Sequence, residues 1–370
     1  MPAWPKGLHL QKRQLGRTGL QTSIVSFGGT WIADISQLNA IDVVRRAFEL
    51  GINYFDTARW DGDSEEKIGH AIKNIRDKCI IATKTGSRTK EESLCDLKNS
   101  IQHLQTDHVD ILQLHGIDDE KTLTKAMSSD GALQTCKKAQ KDHLTNFIGI
   151  TGHKPRILLK AMQTGEFDTV LVPLNIITRQ AQEELLPAAK DLGIGVIAMK
   201  PLLAKTSNLI TCMYTPSLSL VSDEPELKTL LGQSNVDMVS SLLRYNLSKD
   251  VASTLVGMRS IAEVETAAKV GLNYQGLTAL EQKRFAFPLN DYCRDCASCM
   301  PCPQKINIPA ILRFTSFYTI YGLKNWACKL YSGLETKSDQ CTQCGQCQLK
   351  CPYSLSIEKL LQKAHKMLSV

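Results

Sequence analysis

Eight short apolar runs, each separated from the next by a longer amphipathic segment, constrain the fold of this 370-residue chain more than any other feature. The runs are rich in β-branched and aromatic residues, as strands are, and the segments between them repeat apolar residues every three to four positions, as helices do. Eight β/α repeats predict a (β/α)8 TIM barrel, whose closed parallel sheet requires nearly continuous apolar strands. The runs are TSIVSF (22–27), INYFDT (52–57), CIIATK (79–84), VDILQLH (109–115), NFIGIT (146–151), TVLVPLN (169–175), GVIAMK (195–200) and ASTLVG (252–257).

A doubly wound open sheet is the competing architecture for alternating strands and helices. The first run, however, is not followed by the GxGxxG turn that is typical of dinucleotide-binding open sheets. A barrel places its functional residues at the carboxyl ends of the strands. Although a single polar strand end can simply meet water, six runs end in or beside a polar residue, and we expect these residues to line one mouth of the barrel: Asp56, Lys84, His115, Thr151, Asn175 and Lys200.

Charge and composition exclude several classes of function. The net charge of +7 is spread along the chain without a dense Lys/Arg block, so we expect no nucleic-acid partner. No run reaches the roughly 20 apolar residues of a membrane span, and the amino-terminal residues lack an apolar signal segment. We therefore expect a cytoplasmic protein that acts on a small-molecule substrate, with a redox protein as a further candidate partner and the oligomeric state open.

Nine of the 13 cysteines fall between residues 293 and 351, and with no export signal this clustering indicates metal rather than disulfides. The run CTQCGQCQLKCP (341–352) has the C-x2-C-x2-C-x3-C-P spacing of bacterial ferredoxins, and CRDCASCMPCP (293–303) is one residue shorter before its last cysteine. In such runs the fourth cysteine commonly ligates the partner cluster. The spacing therefore predicts two 4Fe–4S clusters, one on Cys293, Cys296, Cys299 and Cys351, the other on Cys302, Cys341, Cys344 and Cys347.

Structural zinc is the alternative, because paired CxxC motifs also form zinc ribbons. Each run here offers three cysteines plus a Cys-Pro, whereas a zinc knuckle uses two ligands, so the pattern favours iron–sulfur. The apolar segment 308–333 between the runs is long enough for two helices, which favours a small α-helical ferredoxin-like domain. We predict a barrel over residues 1–285 and this second domain over residues 286–370, with its clusters serving electron transfer or structure.

The other cysteines and one long connection carry weaker signals. Cys328 belongs to neither run, and we expect it to be an ordinary helix residue. Residues 203–233 form a connection rich in Ser, Thr and Pro, and loops of this length are usually functional or disordered. The remaining four cysteines lie in or near apolar segments, and we expect them to be small buried side chains: Cys79, Cys95, Cys136 and Cys212.

Several motifs, in this order along the chain, resemble the aldo/keto reductase family. The resemblance covers residues 13–270, and the cysteine-rich tail is similar to the branch of the family that carries a C-terminal 4Fe–4S ferredoxin-like domain. It implies a nicotinamide cofactor, usually NADPH and otherwise NADH, lying across the carboxyl mouth of the barrel. The motifs are RQLGRTGLQTSIVSFGGTW, FDTA, GDSEEKIG, IIATKTG, DILQLHGID, IGITGH, PLN and LVGMRS.

The resemblance also implies a catalytic tetrad of Asp, Tyr, Lys and His, in which Tyr protonates the carbonyl oxygen as hydride arrives from the nicotinamide. The Asp, Lys and His positions are matched by Asp56, Lys84 and His115, but Asp61 stands at the Tyr position, five residues after Asp56. An unperturbed aspartate has a pKa near ~3.9, so at neutral pH we expect Asp61 to be ionised and unable to donate a proton. Repulsion from Asp56 would raise this pKa and attraction by Lys84 would lower it, and the sequence leaves open which of the two is larger. His115, with an unperturbed pKa near ~6.5, is the better candidate acid.

The cofactor positions implied by the resemblance are only partly kept. Leu171 stands where family members often have Gln, and Thr266-Ala267 stands where a Glu-Asn pair commonly contacts adenine. Arg259 suits a 2′-phosphate, because a guanidinium binds phosphate in bidentate fashion. The residues at or beside cofactor positions are Thr30, Trp31, Asp56, Thr151, Asn175, Lys200, Pro201, Gly257, Arg259 and Ser260.

These observations favour an oxidoreductase that binds NADP(H) or NAD(H) in the barrel and couples it to the iron–sulfur clusters or to carbonyl reduction. The loss of the Tyr leaves two alternatives open. One is a non-enzymatic protein, either a redox sensor that binds a nucleotide or an electron carrier that docks to a partner. The other is a proton-transfer enzyme, in which a carboxylate and Lys84 catalyse an elimination or isomerisation.

Overall fold

The computed structural model describes residues 10–176, 178–202, 238–286, 292–294, 296–319 and 324–369. The described residues form two units, one made of the residues up to 202 together with 240–277, the other of the residues from 278 onward. The predicted long connection 203–233 and Cys212 lie outside the described residues.

An antiparallel hairpin precedes the barrel, formed by β1 (Lys12–Gln14) and β2 (Gln21–Ser23). The predicted first strand, 22–27, is therefore split between this hairpin and the barrel. The division falls at Ser23, whose hydroxyl donates to the carbonyl of Val25 at 2.7 Å and whose N–H donates to the side chain of Asn53 at 2.7 Å. These bonds turn the chain from the hairpin into the barrel, and nothing in the apolar pattern of the run indicated them.

Eight parallel strands close into a barrel in which the strand order follows the sequence, as the alternating pattern predicts. The last strand pairs with the first, with Thr254 opposite Val25 and Gly257 opposite Gly28, so the sheet has no free edge. The strands are β3 (Val25–Gly28), β4 (Tyr54–Asp56), β5 (Ile80–Thr85), β6 (Val109–Leu114), β7 (Thr145–Thr151), β8 (Thr169–Pro173), β9 (Gly195–Met199) and β10 (Ser253–Gly257).

The barrel interior is filled by apolar side chains from most of its strands. Alternation along a strand points every second residue inward, and the inward residues stack into a packed core rather than a pore. One buried cluster also includes Leu15, which lies in the loop between β1 and β2. Its members are Leu15, Tyr54, Ile80, Ala82, Ile111, Leu171, Ile197 and Ala252.

Helices follow the barrel strands, and several begin at a residue whose side chain accepts a backbone N–H of the first turn. Ser36, Thr89, Asp119 and Ser260 cap four of them in this way. The helices of the first unit are α1 (Gln37–Glu49), α2 (Ser64–Ile72), α3 (Lys90–His103), α4 (Glu120–Met127), α5 (Ala132–Lys141), α6 (Pro155–Met162), α7 (Leu185–Asp191), α8 (Met238–Leu247) and α9 (Ile261–Leu272).

Two of the four scattered cysteines lie in the core of the first unit and one does not. Cys79 and Cys136 are buried, and burial raises the pKa of each thiol to about 12. The expectation of a buried side chain was wrong for Cys95, which is exposed on α3. Its helix turns this position away from the barrel, where Asn99 one turn later donates to the sulfur at 3.6 Å.

The second unit is helical where it is described. The segment between the cysteine runs forms two helices, as its length and apolar content predict. Tyr331 lies at the centre of a buried network: its hydroxyl accepts the N–H of Ser338 at 3.0 Å and bonds the ring of His365 at 2.7 Å. The helices are α10 (Ala279–Phe285), α11 (Ile308–Thr319), α12 (Lys324–Ser332), α13 (Gln346–Leu349) and α14 (Ile357–Leu368). Among the described helices of both units, none is long and apolar enough to cross a bilayer.

Candidate active site and cysteine cavities

The carboxyl ends of β4, β5 and β6 bring three polar side chains together inside the barrel. Lys84 donates to one carboxylate oxygen of Asp56 and, at 2.7 Å, to the carbonyl of Thr57. Gln113 donates to the other oxygen of Asp56 at 2.8 Å. Asp56 and Lys84 are only 3% and 5% exposed, so the predicted Asp–Lys pair is present and is sealed from water. Gln113, which pairs with Lys84 in the strand register, was not among the predicted site residues.

Burial has the largest effect on the pKa of Asp56. Removal from water raises the pKa of Asp56, while the positive charge of Lys84 and the hydrogen bonds from Lys84 and Gln113 act to lower it. Tyr54, two residues earlier on the same strand, is also buried, and burial raises its pKa well above the ordinary value. Tyr54 therefore does not supply the acid that is missing at position 61.

Asp61 lies in the turn between β4 and α2, beside the turn that follows β3. Thr30 donates its hydroxyl to the Asp61 carboxylate at 3.1 Å, which brings two predicted site residues into contact. The backbone of Asp61 is fixed as well, since its N–H donates to Ala58 and its carbonyl accepts from Ser64. The carboxylate is half-exposed, in contrast to the buried carboxylate of Asp56.

Trp60 covers the loops that follow β5 and β6. Its ring lies against the ring of His115, with centroids 4.9 Å apart, and a Cβ added at Gly86 would fall 1.9 Å from the indole. Only a glycine at position 86 lets the indole lie this close to the backbone. The Trp60 side chain is nevertheless 64% exposed, so its outer surface is open to a ligand at the mouth.

Arg88 holds these two loops in place. Its guanidinium donates to the carbonyls of Gly86 at 2.7 Å, His115 at 2.7 Å and Gly116 at 3.2 Å. Burial lowers the pKa of Arg88, although Asp118 and Asp119 act in the opposite direction. Arg88 is thus a positioning residue for His115 that the sequence analysis missed, because its role depends on carbonyls brought together by the barrel.

The ends of β8 and β9 are tied together by a predicted cofactor residue. Asn175 is fully buried, donates to the carbonyl of Lys200 at 3.1 Å and accepts the N–H of Thr178 at 2.8 Å. Thr151 is buried at the end of β7, and the carbonyl of Pro201 accepts a hydrogen bond from Asn246 at 3.3 Å. The Asn175 amide therefore shapes this part of the mouth, where Lys200 is half-exposed.

The turn from β10 into α9 contains the last group of predicted cofactor residues. Trp31 packs on Gly257, where an added Cβ would fall 2.0 Å from the indole. Ser260 caps α9 by accepting the N–H of Glu263 at 3.3 Å, and the Glu263 carboxylate accepts the N–H of Arg259 at 2.7 Å. Glu263 was not predicted as a site residue, although Ser followed three positions later by Glu is a helix-capping pattern that the sequence displays.

The residues at the barrel mouth fit a nicotinamide dinucleotide in their chemistry. Half-exposed Lys200 and Arg259 can attract phosphate, and the outer surface of Trp60 offers a flat apolar area beside His115. The mouth is lined by strand ends that carry every predicted catalytic residue except Asp61, which lies on the adjoining turn.

In the second unit, two cavities are lined by cysteines of both runs. Cys293, Cys296, Cys299 and Cys351 line one cavity together with apolar residues of α11 and α14. The other cavity is lined by Cys299 and a second set of four: Cys302, Cys341, Cys344 and Cys347. Each cavity is thus lined by three cysteines of one run and the Cys-Pro cysteine of the other, and Cys299 lines both cavities. The ligation of two clusters by these cysteines stays a prediction.

The cysteines that line each cavity are of the kind that a polynuclear cluster bonds, with each thiolate on a different iron. Among the described residues, no three His, Cys, Asp or Glu side chains come close enough together to hold one metal ion. Burial, together with neighbouring Cys296, raises the pKa of the Cys299 thiol to about 12.

Comparison with known proteins agrees with the barrel. The model of the aldo/keto reductase family matches residues 24–283. The chain is 33% identical to L-galactose dehydrogenase of Arabidopsis thaliana over 283 residues, 69% of this chain and 86% of that protein. It is 27% identical to the NADH-specific methylglyoxal reductase of Escherichia coli over 211 residues, 51% of this chain and 64% of that one.

Among solved structures, the holo form of aldo-keto reductase AKR11C1 from Bacillus halodurans superposes with a TM-score of 0.60 at 25% identity, covering 75% of this chain and 95% of that one. The match of the family model, the relatives and the closed eight-stranded barrel agree with one another. The chain belongs to the aldo/keto reductase family and is of the NAD(P)H-dependent oxidoreductase type.

Proposed function

We propose that this protein is an oxidoreductase that binds a nicotinamide dinucleotide at the barrel mouth and two 4Fe–4S clusters in the cysteine cavities. Its proposed role is to exchange electrons between the nucleotide, the clusters and a small-molecule substrate. The observation that carries the proposal is the exchange of cysteines between the two runs, because a cavity lined by three cysteines of one run and Cys302 or Cys351 of the other matches the ligand pattern of two-cluster ferredoxins.

The barrel half of the proposal is supported by the buried Asp56–Lys84 pair and by His115 at the next strand end. The relatives named L-galactose dehydrogenase and NADH-specific methylglyoxal reductase support a nicotinamide-linked redox reaction at this mouth. NADP(H) or NAD(H) would be held by residues around Lys200 and Arg259. The bound nucleotide supplies or accepts a hydride, and the residues of this chain orient the substrate and move its proton.

Proton transfer at this site is proposed to rest on His115 rather than on residue 61. A half-exposed carboxylate such as Asp61 is ionised at neutral pH and accepts a proton more readily than it donates one. In carbonyl reduction, His115 would donate to the forming alkoxide oxygen, while Lys84 stabilises its negative charge.

The nucleotide and the clusters transfer different numbers of electrons at a time. A hydride carries two electrons, whereas each cluster accepts one at a time, so two clusters together match the electron count of one hydride. Electron transfer between the nucleotide and the clusters requires an acceptor that takes two electrons and releases them singly.

We assign the barrel to residues 1–285 and the cluster domain to residues 286–370. We also place the protein in the cytoplasm, where thiols stay reduced.

Anaerobic purification tests the proposal directly. We expect about eight iron and about eight sulfide per chain, and partial loss of the iron–sulfur absorbance when NADH or NADPH is added together with a free flavin, which takes up a hydride and releases its two electrons one at a time. A preparation that contains zinc and no iron would overturn the cluster assignment. A preparation that binds neither NADH nor NADPH would overturn the proposed nucleotide site in the barrel. The non-enzymatic electron carrier would then be favoured.

A matched pair of cysteine variants sharpens the test. Cys344→Ala removes a residue that lines one cavity, and we expect about half of the iron to be lost together with the magnetic coupling between reduced clusters. Cys328→Ala is the control, because Cys328 lies on α12, lines neither cavity and lies 3.9 Å from the carbonyl of Met367. Equal iron content in the two variants would contradict the assignment.

A further inference from the structure

The start of α9 carries an anionic side chain beside Gly257, Arg259 and Ser260, the residues of this turn that the family resemblance assigns to the nucleotide. Glu263 is only 4% exposed, and its carboxylate accepts the backbone N–H of Arg259 at 2.7 Å. We propose that Glu263 gives this nucleotide site a preference for NAD(H) over NADP(H). The inference rests on the nucleotide binding proposed above and concerns only the presence or absence of the 2′-phosphate.

At the start of α9, two backbone N–H groups already have acceptors. Exposed N–H groups at the start of a helix are the usual partners of a bound phosphate. Here the N–H of Arg259 is bonded to Glu263, and the N–H of Glu263 is bonded to the hydroxyl of Ser260 at 3.3 Å. In the usual capping box the glutamate reaches the cap residue itself, but here it reaches one residue further back. A phosphate at this turn would have to displace a carboxylate that is already in place.

Several charged side chains lie at this turn or beside it. From Gly257 to Thr266 the chain contains one cation, Arg259, and two carboxylates, Glu263 and Glu265. Helix α1, which packs against α9, presents Arg46, but this guanidinium is bonded to Glu265 at 2.8 Å and to Glu49 at 3.2 Å. Among the described residues at this turn, carboxylates therefore outnumber cations, and these side chains supply no excess of positive charge to neutralise a phosphate that carries close to two negative charges.

Water and ions screen the buried Glu263 carboxylate less than they would screen an exposed one. An exposed carboxylate is surrounded by water and ions and repels a neighbouring anion weakly. The carboxylate of Glu263 is buried beneath the Arg259 backbone, so its repulsion acts through protein rather than through bulk water. Arg259 attracts any phosphate of the dinucleotide, whereas Glu263 acts against a group placed at the turn itself. The expected difference in affinity between NADH and NADPH therefore depends on the Glu263 carboxylate.

Binding measurements on the holoprotein test the inference without requiring a substrate. We expect NADH to bind at least about tenfold more tightly than NADPH to the wild-type protein, as measured by calorimetry and by quenching of tryptophan fluorescence. Glu263→Gln keeps an oxygen that can accept the Arg259 N–H but removes the charge. This variant is expected to bind NADPH about tenfold more tightly than wild type, with NADH binding unchanged within about twofold.

The control lies on the same helix. Glu265→Gln also removes one negative charge from α9, but its carboxylate is engaged by Arg46 in a pair between α9 and α1, and the preference for NADH is expected to persist. A wild-type protein that binds NADPH as tightly as NADH, or a Glu263→Gln variant with an unchanged ratio, would overturn the inference while leaving nucleotide binding intact. Failure of both nucleotides to bind would instead overturn the proposed function and this inference together.

Discussion

Lys84 and Asp56 form an ion pair between adjacent strands that is almost completely removed from water, with side chains 6% and 4% exposed. A buried pair of this kind contributes little net stability compared with an apolar pair, but loss of one partner leaves an uncompensated charge in the core. The pair therefore makes the barrel mouth sensitive to changes at either residue, and this sensitivity can be measured.

Lys84→Met is expected to lower the free energy of unfolding by about 3–5 kcal/mol near neutral pH, because the Asp56 carboxylate stays buried without its partner. Since Lys84 acts to lower the pKa of Asp56, its removal raises that pKa further. The folded variant then binds the Asp56 proton more tightly than the unfolded chain, where the pKa is near ~3.9. The deficit should therefore shrink as pH falls from the raised folded pKa toward ~3.9.

Urea denaturation of wild type and variant at pH 7.5 and pH 5 checks this expectation. Lys138→Met provides the control, because Lys138 and Asp142 form a largely exposed pair within α5, where ion pairs contribute only about 0.3–0.5 kcal/mol. A Lys84→Met deficit that is the same at both pH values would show that the buried carboxylate is not its cause.

Asp61→Tyr is expected to raise the rate of aldehyde reduction with a nicotinamide cofactor by about 100-fold or more, because a positioned general acid typically contributes 10²–10⁴-fold. Steady-state rates with a panel of small aldehydes measure the effect. Asp42→Tyr, at an exposed position of α1, is the control and should leave the rate unchanged. If Asp61→Tyr binds nucleotide normally but gains no rate, the site differs from a carbonyl reductase at more than this position.

Gly86→Ala is expected to push Trp60 off the backbone and away from His115, since the new methyl group would lie 1.9 Å from the indole. The exposed indole can swing toward water, so we expect a shift of tryptophan emission with a stability loss below about 1 kcal/mol. Gly333→Ala is the control, because its nearest neighbours lie 3.7 Å from the added Cβ. An unchanged spectrum in Gly86→Ala, or the same shift in a Trp60→Phe background, would contradict this assignment.

Much of the barrel could be predicted because burial on both faces forces strands to be apolar runs. The same logic placed Asp56, Lys84 and His115 together, since parallel strands end at one mouth. The hairpin before β3 escaped prediction because its turn depends on side-chain bonds at Ser23 and Asn53 that leave no mark on the apolar pattern.

The missed site residues differ in how visible they were. Gln113 is a lone amide within the apolar run VDILQLH, and a buried polar group requires a partner, so the sequence contained a signal for it. The contact of Trp60 with His115 joins two loops, and the bonds of Arg88 join carbonyls that only the closed barrel brings within reach. Neither leaves a periodic pattern in the sequence.

The exchange of cysteines between the two runs has a consequence for biosynthesis. The cavity that uses Cys302 lacks its other three thiols until the ribosome has passed residue 347, and the cavity that uses Cys293 is completed only by Cys351. Neither set of four cysteines exists while the barrel is being made, so delivery of the proposed clusters has to wait until residue 351 has been translated.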